Sequence, residues 1–260
     1  MSISEEKLSK VTEDAIALLH KFVVPLYGSD RRGRPAQVGS GFFVKFQSKC
    51  FLVSAAHVLR ELPEMDLFYY IKPNVTRKVV GQRILGRVPE GHIDQLDVGG
   101  VLLSRESLPP YPAVDKFAVD TSYLRPQYLP RTGKQYVIVG FPASRSKLNP
   151  VAKTVTTSPH AYYSGVTSEE TYAMLGLSTE THLVLPLDLK KGFDSSGRHR
   201  NPPKPQGMSG SPVWVLYEEN VRGASRTFPL VAVGTTYKKN LKVLIATDIA
   251  VVVDLINSTT

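Results

Sequence analysis

Gly207-Met208-Ser209-Gly210-Ser211-Pro212 is the stretch on which the reading of this chain turns. A serine stands between glycines, a proline closes the run, and Val213-Trp214-Val215-Leu216 follows as an apolar strand. Glycine reaches backbone angles that other residues avoid and lets another segment approach closely. A tight loop of this composition can aim backbone N–H groups and one hydroxyl at a common point. Attack on a carbonyl demands that arrangement, a nucleophile beside donors for the oxyanion. Gly, Ser and Pro are also ordinary turn formers. The hexapeptide alone therefore fits a surface turn as well, and the rest of the chain decides.

Two upstream residues supply the missing chemistry. His57 lies in Ser54-Ala55-Ala56-His57-Val58, just after the apolar run Cys50-Phe51-Leu52-Val53-Ser54. Its small neighbours leave room on one side of the ring, although a core histidine has the same surroundings. Asp97 opens the apolar run Val98-Gly99-Gly100-Val101-Leu102-Leu103. A carboxylate buried there is costly unless something pairs with it, and a histidine ring nitrogen is a natural partner. A turn aspartate at a strand edge is the plain alternative, and Asp94 is a weaker rival in loop-like surroundings. In the order His57, Asp97, Ser209 the three make a hydrolytic triad. Ser209 attacks the carbonyl, His57 takes its proton and passes one to the leaving amine, and Asp97 fixes the histidine tautomer. The N–H groups of Gly207 and Ser209 would hold the oxyanion.

Residue order excludes other hydrolases. All six histidines (His20, His57, His92, His160, His182, His199) precede Ser209, whereas a lipase-type α/β-hydrolase needs its histidine after the nucleophile. A subtilisin order needs an aspartate before His57, and only Asp14 and Asp30 stand there, one in a helical stretch and one in a basic loop. The single cysteine, Cys50, sits in an apolar strand, where packing is its role. Neither a His-Glu-x-x-His pattern nor a phosphate-cradling loop is present, so neither metal nor cofactor is expected.

Outside these motifs the chain reads as short strands between two helices. Residues 4–21 form an amphipathic helix with Ser4 as cap and Leu8, Val11, Ala15, Leu18 and Leu19 at helical spacing. Strands are expected at 22–27, 37–46, 50–54, 66–72, 76–81, 83–88 and 96–103, with one helical turn at 55–60. Residues 105–132, rich in Pro and Tyr, read as an extended crossing. A second set of strands follows at 135–140, 151–157, 162–166, 182–187, 213–217, 228–237 and 241–246, then a helix over 248–255. Two strand runs joined by a proline-rich crossing give an all-β chain of two antiparallel barrels or sandwiches, with one larger sheet as the alternative. The expected division is an N-terminal helix (1–21), a first barrel (22–115) carrying His57 and Asp97, a crossing (116–132), and a second barrel with the C-terminal helix (133–260) carrying Ser209.

With these residues in place the chain resembles the trypsin-like (chymotrypsin-fold) serine peptidases, in a bacterial cytosolic form. Ser54 to His57 match the family's Thr/Ser-Ala-Ala-His segment, and Asp97-Val98 with Leu102-Leu103 match its aspartate strand. Gly207 to Pro212 match Gly-Asp-Ser-Gly-Gly-Pro. Gly39-Ser40-Gly41-Phe42 resembles the strand before the histidine, and Val139-Gly140-Phe141-Pro142 the first strand of the second barrel. The likeness spans residues 22–250 and leaves the first helix outside. It implies two six-stranded barrels with the site in the cleft between them, and a serine endopeptidase acting through an acyl-enzyme. A wall of the specificity pocket would be formed by Gly234, Thr235 and Thr236. The run before the nucleophile, Asn201 to Gln206, offers no carboxylate for a basic side chain, and the wall strand has small residues near the opening, which together point to a small-to-medium uncharged side chain; Asp188 and Asp194 keep a basic preference open. Two departures stand out: Ser211 replaces a glycine, and Met208 replaces the acid that pairs with a new N-terminus after zymogen cleavage. Activation by such cleavage is therefore not expected. A silent or effector-gated binding module for peptide or nucleic acid is the competing reading on the same fold.

Bulk properties set the remaining bounds. The 260 residues are 42% hydrophobic, enough for one large domain or two small ones. The net charge of +9 favours acidic partners. However, the basic clusters Arg31-Arg32-Gly33-Arg34, Lys190-Lys191, Arg198-His199-Arg200 and Lys238-Lys239 lack interleaved aromatics and read as solvated loops, so nucleic acid is not an expected partner. The expected partners are a protein or peptide substrate and a regulatory partner. One cysteine allows no intrachain disulfide, which suits a reducing cytoplasm. The polar N-terminus does not read as a secretory signal, and no apolar run reaches the roughly 18 residues of a membrane span.

Overall fold

Apolar strands that alternate toward two different cores explain the architecture. In a strand, successive side chains point to opposite sides. In Val213-Trp214-Val215-Leu216 every residue is buried, so both sides must be covered. Val213 and Val215 face one core with Ile138 and Leu185, while Trp214 and Leu216 face another with Phe42 and Phe51. The computed structural model describes residues 13–14, 17–29, 35–60, 66–71, 75–86, 96–108, 116–126, 134–149, 154–189, 201–216 and 228–259.

The strands run in chain order as β1 (Val23–Ser29), β2 (Pro35–Phe46), β3 (Lys49–Ser54), β4 (Phe68–Ile71), β5 (Val75–Lys78), β6 (Gly81–Leu85), β7 (Gly99–Leu103), β8 (Ala118–Asp120), β9 (Gln135–Gly140), β10 (Ser146–Asn149), β11 (Thr154–Thr157), β12 (His160–Ser164), β13 (His182–Pro186), β14 (Pro212–Leu216), β15 (Leu230–Lys238) and β16 (Val243–Asp248). The first sheet has the order β5-β4-β1-β2-β3-β7-β6, with β8 added parallel to β2. The second has the order β12-β9-β14-β15-β16-β13, and β10 and β11 form a separate hairpin. Both sheets curl into antiparallel half-barrels. The second has the six strands expected; the first is larger, because short strands (β5, β6 and the parallel β8) pair along its edges and on β2.

Three cores follow from the alternation. Leu26, Phe43, Leu52 and Tyr69 fill the inside of the first sheet. Tyr136, Ile138, Val213, Leu183 and Leu244 fill the inside of the second. Between the sheets lies a seam of Phe42, Phe51, Val53, Val139, Trp214 and Val233. This seam also receives helix residues from both ends of the chain. Leu19 is 3% exposed within it. Residues 13–14 and 17–19 are helical and pass into a 3₁₀ turn at His20–Phe22. Ser4, Leu8, Val11 and Ala15, expected in that helix, lie outside the described residues.

Three further helices among the described residues are short, with five, seven and nine residues. The turn expected at 55–60 is α1 (Ala56–Arg60). α2 (Glu169–Leu175) was not expected, although Ser168 at its cap, two acids in its first turn and Gly176 at φ 65° after it are ordinary helix boundaries. α3 (Ile249–Asn257) begins one residue later than read, because Asp248 is its cap and accepts a hydrogen bond from the Ala250 N–H at 2.9 Å. Its Ile249, Val252 and Ile256 complete the seam. Among the described residues no helix is long and apolar enough to cross a membrane.

His160 opens β12, stacked edge-on against Tyr162 with ring centroids 4.8 Å apart. Burial, with a smaller push from the Arg145 charge, brings its pKa from 6.5 down to about 4. The unfolded chain therefore binds a proton near pH 6.5 that the folded chain refuses until about pH 4. Stability from this site is complete above pH 6.5 and falls as pH drops toward 4, by about 3 kcal/mol at 1.36 kcal/mol per pKa unit. In urea denaturation followed from pH 7 to 4, the stability difference between wild type and His160→Gln is expected to change across this window in that direction. A constant difference would remove the buried neutral imidazole from the account.

Candidate active site

The site is assembled from the ends of elements in both sheets. β3 runs out through Ser54 into α1, which starts at Ala56 and therefore presents His57 in its first turn. Asp97 lies just before β7 rather than inside it. The reason is local: both its oxygens are used on His57. Asp97 Oδ1 accepts from the His57 backbone N–H at 2.8 Å, and Oδ2 lies 2.6 Å from His57 Nδ1. The Asp97 carbonyl also accepts from Ala56 N–H at 3.2 Å. The aspartate side chain is 11% exposed and the histidine 46%. The ring thus has a carboxylate behind it and an open side in front. A carboxylate accepting at Nδ1 favours the tautomer whose Nε2 carries a lone pair on that open side. Asp94, the rival, lies outside the described residues.

The loop from Gly207 to Pro212 is held tightly by backbone hydrogen bonds. Met208 N–H donates to Pro205 O at 2.9 Å, Ser211 N–H to Met208 O at 3.0 Å, and Gly210 N–H to Gly234 O at 2.7 Å. The N–H groups of Gly207 and Ser209 make no hydrogen bond to another described residue. Gly207 and Gly210 sit at φ 88° and 91°, the left-handed region that favours glycine. At Gly210 a side chain is excluded twice over, because a Cβ would come 2.1 Å from Ser40 O and 2.2 Å from Ser54 Oγ.

β2 of the first sheet fastens this loop. Ser40 N–H donates to Ser209 O at 2.8 Å and Ser40 Oγ donates to Gly207 O at 2.9 Å, while accepting from Phe141 N–H at 3.1 Å. Gln37 Nε2 reaches Gly207 O at 3.3 Å and also donates to Phe141 O. Gln37 was not singled out from sequence. Ser40 was quoted only as part of a motif, since a side chain acting across two sheets leaves no local spacing to read.

Ser209 and His57 line the same cavity, of about 420 Å³, with Thr235, Thr236, Tyr237, Gln206, Lys204 and Lys239 among its walls. Its size lies within the usual range for small-molecule sites. Of the wall predicted from sequence, Thr235 and Thr236 line the cavity. Gly234 instead spends its N–H and carbonyl on Ser211 O and Gly210 N–H. A β-bulge between Gly234 and Thr236 makes Thr235 the extra residue against β16. The bulge aims the Thr235 carbonyl at the loop, where it accepts from Ser209 Oγ at 3.0 Å, while Thr235 Oγ1 turns away to Ile245 O at 3.1 Å. Of the acids left open as a pocket floor, Asp188 pairs with Lys242 at 3.0 Å and Asp194 lies outside the described residues. Among the described residues no group of His, Cys, Asp and Glu is arranged to hold a metal ion. Met208, 2% exposed, packs with the inner core of the second sheet, and burial pushes the Cys50 thiol up to about 12, as suits a packing residue.

No protein-family model and no curated protein sequence matches the chain. Solved structures do. A thermostable serine protease, AL20, from an extremophilic microorganism is 12% identical, over 92% of this chain and 96% of that one, with a TM-score of 0.57. Neuropsin, a serine protease expressed in the limbic system of mouse brain, is 15% identical over 92% and 94%, with a TM-score of 0.56. Human heparin binding protein is 12% identical over 92% and 90%, with a TM-score of 0.55. At such identities the likeness speaks to backbone architecture, and the chain has the chymotrypsin-like double β-barrel fold of the trypsin-like serine proteases.

Proposed function

We propose that the protein is a serine endopeptidase that cleaves peptide bonds through His57, Asp97 and Ser209. The observation that carries this is the double engagement of His57 by Asp97 at the edge of a cavity that Ser209 also lines. Ser209 Oγ forms a bond to the substrate carbonyl carbon and passes its proton to His57 Nε2. The oxyanion takes hydrogen bonds from the uncommitted N–H groups of Gly207 and Ser209. The C–N bond then breaks as His57 protonates the leaving amine, and water, activated by the same ring, releases the acyl group. The seat of the protein is a reducing compartment, the cytoplasm, where a lone and buried Cys50 needs no partner.

One contact favours a gated form of the same reading. Ser209 Oγ donates to Thr235 O rather than to His57. In a resting state of this kind, substrate or a regulatory partner turns the hydroxyl by one rotamer toward Nε2. That one structural neighbour is named for binding heparin rather than for proteolysis keeps a silent binding module as the outcome to be excluded.

A fluorophosphonate probe separates these. Attack by Ser209 forms an O–P bond and expels fluoride, so labelling is expected in wild type and lost in Ser209→Ala. Asp97→Asn is expected to slow labelling by about 10⁴-fold, the size of the loss when the histidine tautomer is no longer held. A wild type that stays unlabelled with and without peptide would sink the enzyme reading in favour of the binder.

Ser40 acts here as a positioning residue. Ser40→Ala removes the donor to Gly207 O and leaves the Phe141 N–H buried without its acceptor, costing about 1–3 kcal/mol of stability. Labelling of the folded variant is expected to slow about tenfold, for each 1.4 kcal/mol lost to the reacting geometry. Unchanged labelling in a destabilised variant would make Ser40 a purely structural residue.

A further inference from the structure

We propose that the cavity beside Ser209 selects peptides whose residue on the acyl side of the cleaved bond is Glu or Asp, held by Lys204 and Lys239. This rests on the endopeptidase reading and names the substrate class for it.

His57 marks the side of the cavity from which the leaving amine departs, because its ring must protonate that nitrogen. The acyl-side residue therefore extends from Ser209 away from His57, into the part walled by 204–206 and 235–239. Lys204 and Lys239 line that part, and no carboxylate is among the described lining residues. The acid closest in sequence to the wall residue Leu189 is Asp188, and its charge is taken up by Lys242 at 3.0 Å. Among the described residues neither Lys204 nor Lys239 is paired with a carboxylate. A Lys or Arg side chain entering the cavity would meet two like charges, and an uncharged one would gain nothing from them.

Lys204 is held in place by its neighbours. It stands between Pro203 and Pro205, and a residue before proline is confined to extended backbone. Pro203 O accepts from the Tyr162 hydroxyl, and Pro205 O accepts from Met208 N–H at 2.9 Å. The segment that carries the ammonium is thus tied to the nucleophile loop itself. Lys239 follows β15 directly, in the turn closed by Lys242 N–H on Lys239 O at 3.4 Å. The preference for a small-to-medium uncharged side chain, read from the sequence, took account of the small residues on the wall and not of these two lysines, which only the fold brings to the same cavity.

The experiment is a set of fluorogenic peptides that differ only at the acyl-side residue (Glu, Asp, Gln, Leu, Lys), cleaved by wild type and by the double variant Lys204→Glu/Lys239→Glu, with fluorophosphonate labelling run in parallel. Wild type is expected to cleave Glu over Gln by about tenfold in kcat/KM, since exposed ion pairs contribute only two- to fivefold each. The margin should shrink between low salt and 0.5 M NaCl, as screening shortens to a few ångströms. The double variant is expected to invert the order, Lys over Glu, so a gain on one substrate accompanies the loss on the other. A wild type that labels but treats Glu and Gln alike, or a double variant that keeps the wild-type order, overturns the acidic preference and leaves the peptidase reading standing. A wild type that neither labels nor cleaves overturns both.

Discussion

Ser40 joins the two halves of the molecule at the point where the chemistry is proposed to occur. Its N–H and hydroxyl hold the carbonyls of Ser209 and Gly207, two residues of a loop more than 160 positions downstream. Backbone carbonyls must be satisfied somewhere when buried, and here the Gly207–Pro212 loop satisfies two of its own on the opposite sheet. The carbonyls are pinned on the opposite sheet, while the N–H groups of Gly207 and Ser209 make no hydrogen bond to another described residue. Gly210 permits the approach, since any side chain there would collide with Ser40 O and Ser54 Oγ.

That fastening holds only because the sheets are registered by packing. β2 places Phe42 in the seam and Phe43 in the core of its own sheet; β14 does the same with Trp214 and its neighbours Val213 and Val215. A slip of one residue would exchange the two faces of a strand. In strands apolar on both sides such a slip is not prevented by a polar face, so shape decides: aromatic side chains of β2, β3 and β14 occupy one seam. The bulge at Thr235 is the local departure from this regularity. Thr235 is the residue β15 has in excess over β16, and its carbonyl is the one that Ser209 touches.

The sequence revealed the pieces that short-range chemistry dictates. His57 and Asp97 were legible because an apolar strand ending in small residues and a carboxylate at the head of another are unusual neighbours for charge, and the structure brings them to 2.6 Å. The double-barrel fold was legible from strand spacing and motif order. Two short strands were not: β8 has three residues and pairs parallel to β2, a contact with no local pattern behind it. β10 has four. α2 had readable boundaries in Ser168 and Gly176, but a single helix in a run of strands was passed over for the prevailing period. Gly234 was assigned to the cavity wall by position in its strand; in the structure its backbone bonds to the loop, and Tyr237 and Lys239 line the cavity with Thr235 and Thr236. Gln37 bonds from one sheet to the loop of the other, and Lys204 and Lys239 line one cavity from separate stretches of chain, placements that exist only once the chain is folded.

Met208 shows how the loop keeps its shape without the acid found there in the family it resembles. An acid at this place would need a cation brought from elsewhere, since a buried lone carboxylate is costly. Met208 instead lies among Tyr162, Leu187 and Val213, 2% exposed, where its flexible thioether fills the inner core. The turn on either side is closed by its own N–H on Pro205 O and its carbonyl under Ser211 N–H. Burial thus anchors the middle of the loop, hydrogen bonds to Ser40 anchor its flank, and none of these contacts calls for a newly cut amino terminus. Under the peptidase reading, the loop is ordered by folding itself, and any control of the enzyme must work on what the fold leaves adjustable. The rotamer of Ser209, held at Thr235 O, is such a degree of freedom.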